Sequence, residues 1–332
     1  MRWLTQTAPH DFAGHLMFVA RKKAQAEFST CPSESLMMLL QSPNPSREAL
    51  VKPTLFPPGI PTIGSYDEVL ESSLFREIES FSDQFLNDHS LKLRDYGKKW
   101  VTDPLHQWSR QWEYPFAYAQ IKDWLSTRRQ DEVTILDAGS GVTFFPFCLA
   151  SEFPFVRVVC CDQDEALTST YASIINDTGL SVRFSVADLH QLPYADATCD
   201  IVFSISVLEH TDAYDDIFRE FQRVLRPGGM VVITFDITLG GVNELIDGRA
   251  QHLLETAEQF FRPLPGPLNL ASALNPAAGS TEILTTRYIR RINKKLLPWR
   301  YSYLAPLKNL VRKRPEIPFQ NLTVFCQAFQ RA

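Results

Sequence analysis

From residue 133 onward, short apolar runs alternate with helix-length segments. Val133-Thr-Ile-Leu-Asp-Ala-Gly139 is the first run. Val156-Arg-Val-Val-Cys-Cys-Asp162, Val182-Arg-Phe-Ser-Val-Ala-Asp188, Asp200-Ile-Val-Phe-Ser-Ile-Ser206 and Met230-Val-Val-Ile-Thr-Phe-Asp236 follow. The segments between them predict helices at 143–152, 164–178 and 213–226, the last closed by Pro227-Gly228-Gly229. Strands alternating with helices mean βαβ units and a parallel sheet with helices on both faces. Leu322-Thr-Val-Phe-Cys-Gln-Ala-Phe329 predicts a last strand that returns to the sheet after a long excursion from 237 to 320.

Upstream the pattern differs. Residues 1–40 mix apolar and polar positions and leave room for a helix or two. Six prolines between 41 and 65 forbid a continuous helix there. Across 66–95, Val69, Leu70, Leu74, Phe75, Ile78, Phe81 and Phe85 recur three and four apart, which predicts helix. The aromatic stretch from Trp108 predicts a further helix to about Arg128, with Pro115 in its first turn. A helical stretch is expected at 251–262, with a Pro/Gly-rich turn at 263–267.

Composition narrows the class. With 45% hydrophobic and 21% charged residues, the 332-residue chain is globular rather than disordered. Its net charge of -5 argues against a protein that coats nucleic acid over its whole surface. Six cysteines form no CxxC pair, so no zinc knuckle or dithiol is expected; five sit in apolar runs and read as buried thiols. Adjacent Cys160 and Cys161 should point to opposite faces of one strand. This usage fits a reducing, cytoplasmic compartment. Asp11 and His15 interrupt the first apolar run, so no secretion signal is expected.

The candidate chemistry sits where each strand ends. In open parallel sheets, ligands bind at the carboxyl ends of the strands, where strand order reverses. Asp137-Ala138-Gly139-Ser140-Gly141 follows the first strand; such glycines let backbone turn tightly and approach a ligand closely. Asp162 ends the second strand, where a carboxylate can accept hydrogen bonds from both hydroxyls of a ribose. Asp188 ends the third, where it can accept from an adenine amino group. Each aspartate could equally cap the following turn, but three such signals in strand order favour a nucleoside-containing ligand.

With these motifs in view, the sequence resembles the class I S-adenosylmethionine-dependent methyltransferases. Ile135-Leu-Asp-Ala-Gly-Ser-Gly141, Cys161-Asp-Gln163 and Ala187-Asp-Leu-His-Gln-Leu-Pro-Tyr194 resemble the family's glycine, ribose and adenine motifs. Cys199–His210 and Glu220–Gly229 resemble its fourth strand and its approach to the fifth. The resemblance implies an α/β fold: a doubly wound, mostly parallel, seven-stranded Rossmann-like sheet. A helical N-terminal extension (1–105) would precede a methyltransferase domain (106–332). That domain would comprise a core at 133–236, a cap insertion at 240–320 and the last strand. It implies S-adenosyl-L-methionine as cofactor. Asp137, Ala138, Gly139, Ser140 and Gly141 would shape the methionine end, Asp162 would hold the ribose and Gln163 would pack beside adenine. Asp188 would bind the adenine amino group and the Leu189 backbone another ring nitrogen. Ser204, Ile205 and Ser206 would floor the methyl group.

Thr143 departs from the family, standing where many members have a third glycine. Some relatives hold a metal with two Glu and a His at the fourth-strand exit; here the first position is Ser206, so no metal is expected. A dinucleotide-dependent dehydrogenase would need GxGxxG, and Phe144 stands in the last glycine's place. The Asn-Pro-Pro-Tyr and Pro-Cys motifs of DNA base methylation are absent, so DNA is not an expected partner.

Transfer to a hydroxyl benefits from a base, and His210, with Glu209 beside it, is the candidate catalytic pair. Glu209 would pair with His210 or face solvent. Arg110, Trp112 and Tyr114 are candidates for cofactor or acceptor contact, or for packing of their helix on the sheet. Residues 287–314 carry ten Lys and Arg and no acid, with Tyr288, Trp299, Tyr301 and Tyr303 interleaved. Such a segment suits a phosphorylated or acidic small-molecule acceptor, an anionic membrane surface or RNA, or simply balances the acidic remainder. The expected activity is methylation of a small molecule, at oxygen, on a sugar, lipid precursor or secondary metabolite. RNA or protein methylation and a non-catalytic cofactor-binding module are the alternatives.

Overall fold

The computed structural model describes residues 56–99, 101, 103–127, 132–239, 247–265, 270–274, 282–297 and 321–332. The expectations for 1–40, for most of the proline-dense stretch, for Cys31 and for 298–314 lie outside the described residues. Among the described residues, four helices precede the sheet: α1 (Ile63–Glu71), α2 (Ser73–His89), α3 (Tyr96–Lys99) and α4 (Arg110–Ser126). The core then runs β1 (Val133–Ala138), α5 (Phe145–Glu152), β2 (Val156–Asp162), α6 (Leu167–Thr178), β3 (Val182–Val186), β4 (Cys199–Ile205), α7 (Tyr214–Val224) and β5 (Leu225–Thr238). It closes with α8 (Asp247–Phe260), β6 (Arg262–Leu264), α9 (Leu270–Leu274), α10 (Thr286–Ile292) and β7 (Leu322–Gln330). Short 3-10 turns lie at Leu208–His210 and Lys294–Leu296.

The strands form one seven-stranded sheet in the order β3-β2-β1-β4-β5-β7-β6. β1 to β5 are parallel, while β7 runs antiparallel to β5 and β6 antiparallel to β7. Successive strands step outward from β1 to β3, then the chain returns to the other side of β1 as β4. That reversal opens a crevice at the carboxyl ends of β1 and β4.

Strand alternation splits the core into two layers. Ile135, Val158, Cys160, Ile201, Phe203 and Val232 face a cluster built by α1, α2, α4, α5 and α6. Leu136, Ala138, Cys161, Val202, Val231 and Ile233 face the opposite cluster with α7 and α8. Cys160 and Cys161 thus lie on opposite faces, and the five described cysteines are buried free thiols. Each fully buried large apolar side chain, such as Phe218 or Phe221 of α7, contributes about 1.5–3 kcal/mol relative to exposure.

α4 is buried along most of its length because the sheet lies on one side and α1 and α2 on the other. No described helix is long and apolar enough to cross a membrane.

Several local expectations change. The helical spacing at 66–95 resolves into α1 and α2, because Ser72 ends one helix and caps the next. Its hydroxyl donates to Val69 O (2.6 Å) and accepts from Phe75 N (3.1 Å). Pro115 lies inside α4 rather than in its first turn, since the helix already starts at Arg110. The helix expected to 226 stops at Val224, because Leu225 pairs with Cys199 and begins β5. The turn expected at 263–267 is in part strand β6, where Arg262–Leu264 pair with β7 and complete the sheet edge.

Candidate active site

A cavity of about 670 Å³ opens at the carboxyl ends of β1, β2, β4 and β5, within the size range of small-molecule sites. It has two ends of different construction.

One end is made by the loops after β1, β2 and β3. Gly139 (φ 81°) and Gly141 (φ 51°) adopt the left-handed conformation that side chains disfavour. A Cβ at Gly139 would meet Val207 at 2.6 Å, and one at Gly141 would meet the Tyr96 hydroxyl at 2.5 Å. Gly139 and Ser140 donate backbone hydrogen bonds to Cys161 O (both 2.9 Å), and Tyr171 donates to the Ser140 hydroxyl (3.1 Å). Asp162 then locks the loop: its carboxylate accepts from Gly141 N (3.0 Å) and Asp164 N (2.9 Å). Asp188 accepts from His190 N (3.0 Å) and from the His190 ring, contacts that hold its carboxyl below the usual range. Both aspartates therefore make turn-capping bonds while lining the cavity. The Asp188 loop is pinned from behind by Arg223, which donates to Leu192 O (3.0 Å) and Tyr194 O (2.7 Å) and pairs with Glu220 (2.7 Å).

Asp137 is 4% exposed and lines the same cavity. Burial, with Asp162 nearby, pushes its carboxyl well above the ordinary range. A buried acid beside another acid is relieved by a cationic ligand.

The other end joins distant parts of the chain. Glu113 of α4 is fully buried. One of its carboxylate oxygens accepts from the hydroxyls of Ser206 (2.7 Å) and Thr234 (2.5 Å), and the other accepts from Arg110. Arg110 also contacts the Ser206 hydroxyl. Ser206 has φ 49°, an uncommon conformation for a residue with a side chain. It is held by donation of its N–H to Thr234 O (2.9 Å). Arg110, Ser206 and Asp236 line the cavity, as do Tyr96, Trp108 and Tyr114. Burial pushes the Tyr96 and Tyr114 phenols up, so both stay protonated donors.

Among the named candidates, Asp137, Gly139, Ser140, Gly141, Asp162, Gln163, Asp188, Leu189, Ile205, Ser206 and His210 line this one cavity. Ala138 and Ser204 are buried behind it, and the Ser204 hydroxyl donates to Ala138 O (2.9 Å), tying β4 to β1. Glu209 does not face solvent: it is buried within the 3-10 turn, where desolvation and nearby Asp236 push its carboxyl well above the ordinary range. Arg110 and Tyr114, four residues apart, face the cavity, while Trp112 packs against Phe56 (ring centroids 5.8 Å). Glu113, Thr234 and Asp236 were not among the sequence candidates. A glutamate three residues after an arginine, inside an otherwise aromatic helix, is the signal that would have marked the first. Among the described residues, no group of three or more His, Cys, Asp or Glu is placed to hold a metal.

Comparison with known proteins agrees with the geometry. Residues 136–233 match the family described as Methyltransferase domain. The chain is 33% identical over 104 residues to malonyl-[acyl-carrier protein] O-methyltransferase of Hahella chejuensis, a match covering 31% of this chain and 37% of that protein. It is 34% identical over 100 residues to phosphoethanolamine N-methyltransferase 3 of Arabidopsis thaliana, covering 30% and 20%. Thus the match spans well under half the length of either relative. Among solved structures, geranyl diphosphate C-methyltransferase from Streptomyces coelicolor A3(2) is similar at 15% identity and a TM-score of 0.43, over 65% of this chain and 80% of that one. Residues 136–233 thus match a methyltransferase domain, and the sheet order and strand-end loops are those of the class I, S-adenosylmethionine-dependent methyltransferase fold.

Proposed function

We propose that the chain transfers a methyl group from S-adenosylmethionine to a hydroxyl of a small molecule. The observation that carries this reading is the single continuous cavity, which joins the loops after β1–β3 to Ser206, His210 and Asp236 at the exit of β4 and β5. The residues fit the cofactor. Asp137 supplies a buried acid for its positively charged methionine end, and Asp162 and Asp188 present carboxylates for ribose and adenine. When bound, the cofactor supplies an electrophilic methyl on its sulfonium.

The protein's contribution is positioning and exclusion of water. Tyr96, Trp108 and Tyr114 wall the cavity, with the Tyr96 hydroxyl set against Gly141. Arg110 and Ser206 are fixed by Glu113, so the floor does not reorganise when an acceptor enters. His210 lies at the cavity wall and accepts the proton of the acceptor hydroxyl. Glu209, buried and outside the cavity lining, takes no proton from the acceptor; it supports the turn that presents His210. The acceptor is a sugar, lipid precursor or secondary metabolite with a free hydroxyl. The lining includes Asp236, and the Arg110 charge is already met by Glu113, which favours a neutral acceptor over a phosphorylated or acidic one.

The test is transfer of labelled methyl from S-adenosylmethionine to pools of small hydroxyl compounds, with His210→Asn in parallel. Transfer that falls about a hundredfold in the variant, with cofactor affinity unchanged, is expected. Labelling of amines only, or equal rates in both proteins, would overturn the assignment.

A further inference from the structure

The described part of the basic segment forms a docked surface outside the cavity. α10 and the 3-10 turn after it span Thr286–Leu296. The ledge is held rigidly from within. Thr286, Ile289 and Leu297 are buried. The Thr286 hydroxyl accepts from Leu322 N of β7 (2.9 Å), and Leu296 O accepts from Trp108 N (2.9 Å). Thr285 and Asn293 cap the two turns by accepting from Tyr288 N (3.2 Å) and Lys295 N (3.1 Å).

The outer side is cationic, and an exposed apolar residue adjoins it. Arg287, Arg291, Lys294 and Lys295 are exposed and make no ion pair among the described residues. Arg287 and Arg291, four apart on α10, share one face. Ile292 follows Arg291 in the chain and is 53% exposed, one of few large apolar side chains left in water among the described residues. No acid occurs between 287 and 314, although the chain as a whole carries -5. A solvated charge face gains nothing from an exposed isoleucine. A surface that touches a bilayer gains from both: the cations meet anionic headgroups and the isoleucine enters the interface. Single-stranded RNA would call for aromatic faces open for base stacking; the one aromatic residue of α10, Tyr288, is only partly exposed.

We propose that this ledge docks the protein on an anionic lipid surface. Its bond to Trp108, a wall residue of the cavity, sets the docking surface beside the segment that lines the acceptor end. The proposal does not depend on the reaction assigned above.

Co-sedimentation of the full chain with vesicles tests it. Vesicles of phosphatidylcholine alone are compared with vesicles that also contain phosphatidylglycerol, at low and high salt. The chain is expected to sediment with the anionic vesicles only, and less at high salt. Each cation removed should lower partitioning about fivefold, so that Arg287→Gln, Arg291→Gln, Lys294→Gln and Lys295→Gln together abolish it. Ile292→Ser alone should weaken it without changing the salt dependence. Unaltered thermal melting of the variants shows that the fold is retained. Equal sedimentation with both vesicles, none with either, or unaltered binding by the fourfold variant would overturn the proposal. So would salt-sensitive binding of an RNA oligomer, lost in that variant, without vesicle binding.

Discussion

The two ends of the cavity hold their polar groups in opposite ways. At the cofactor end, Asp162 and Asp188 are partly or largely exposed, and their carboxylates are engaged by N–H groups within the β1–β3 loops. At the acceptor end, Glu113 is fully buried, and its partners come from α4, the exit of β4 and the middle of β5. The first arrangement is assembled locally, and a change in it should be felt by the ligand. The second is a long-range clasp of charge inside the core, and a change in it should be felt by the whole fold.

The largest expected effect follows from that contrast. Glu113→Ala leaves Arg110 without its buried partner and two hydroxyls without their acceptor. A loss of about 3–5 kcal/mol is expected from chemical denaturation. A loss under about 1 kcal/mol would mean that the clasp is not what holds α4 to the sheet. Asp162→Ala, by contrast, should weaken S-adenosylhomocysteine binding by about 2–3 kcal/mol, near a hundredfold in affinity, with little change in the unfolding midpoint. Unchanged affinity in that variant would remove the ribose contact from the account.

Asp137 belongs to the cofactor end but is buried like Glu113, so it tests where the contrast breaks down. Its carboxyl is raised in the folded chain by burial and by Asp162. Stability from this group is therefore fully present below its unfolded pKa, near 3.8, and is lost as pH rises toward the folded value. Asp137→Asn should melt higher than the parent at neutral pH without cofactor, yet bind S-adenosylmethionine more weakly. Parent affinity should rise with pH as the acid ionises, and the variant's should stay flat. Titrations at several pH values, paired with thermal melts, check both halves.

The smallest effect lies at the rim. His106 bridges Asp103 (2.8 Å) and Glu79 (3.1 Å), linking the segment that carries Pro104 and Gln107 to α2. The Asp103 hydrogen bond, opposed by partial burial and aided by Glu79, raises the imidazole to about 9. That stability is complete below pH 6.5 and is lost as pH rises through about 9. The groups are partly exposed, so about 1 kcal/mol is expected. His106→Ala should melt lower than the parent at pH 6 and converge with it by pH 10.

What could be read from the sequence follows the same division. The parallel strands and their terminal aspartates are visible because each strand-loop unit is contiguous, and the apolar runs of β1 and β4 are buried at nearly every position. Gly139, Asp162 and Asp188 carry their meaning in their immediate neighbours. Glu113 does not: its partners Ser206 and Thr234 lie far along the chain, and only the tertiary fold brings them together. β6 was hidden for a related reason. Three residues that include a proline become a strand only because β7 offers an edge to pair with. The end of α7 moved because cross-strand pairing of Leu225 outweighed the local signal of Pro227-Gly228-Gly229.

The central claim is that the loops after β1–β3 form a site for S-adenosylmethionine. Calorimetric titration of the full chain with S-adenosylmethionine and S-adenosylhomocysteine, with NAD as control, tests it most directly. The account predicts micromolar binding of the first two and none of the third. A folded protein that binds neither, or that binds NAD instead, would contradict it.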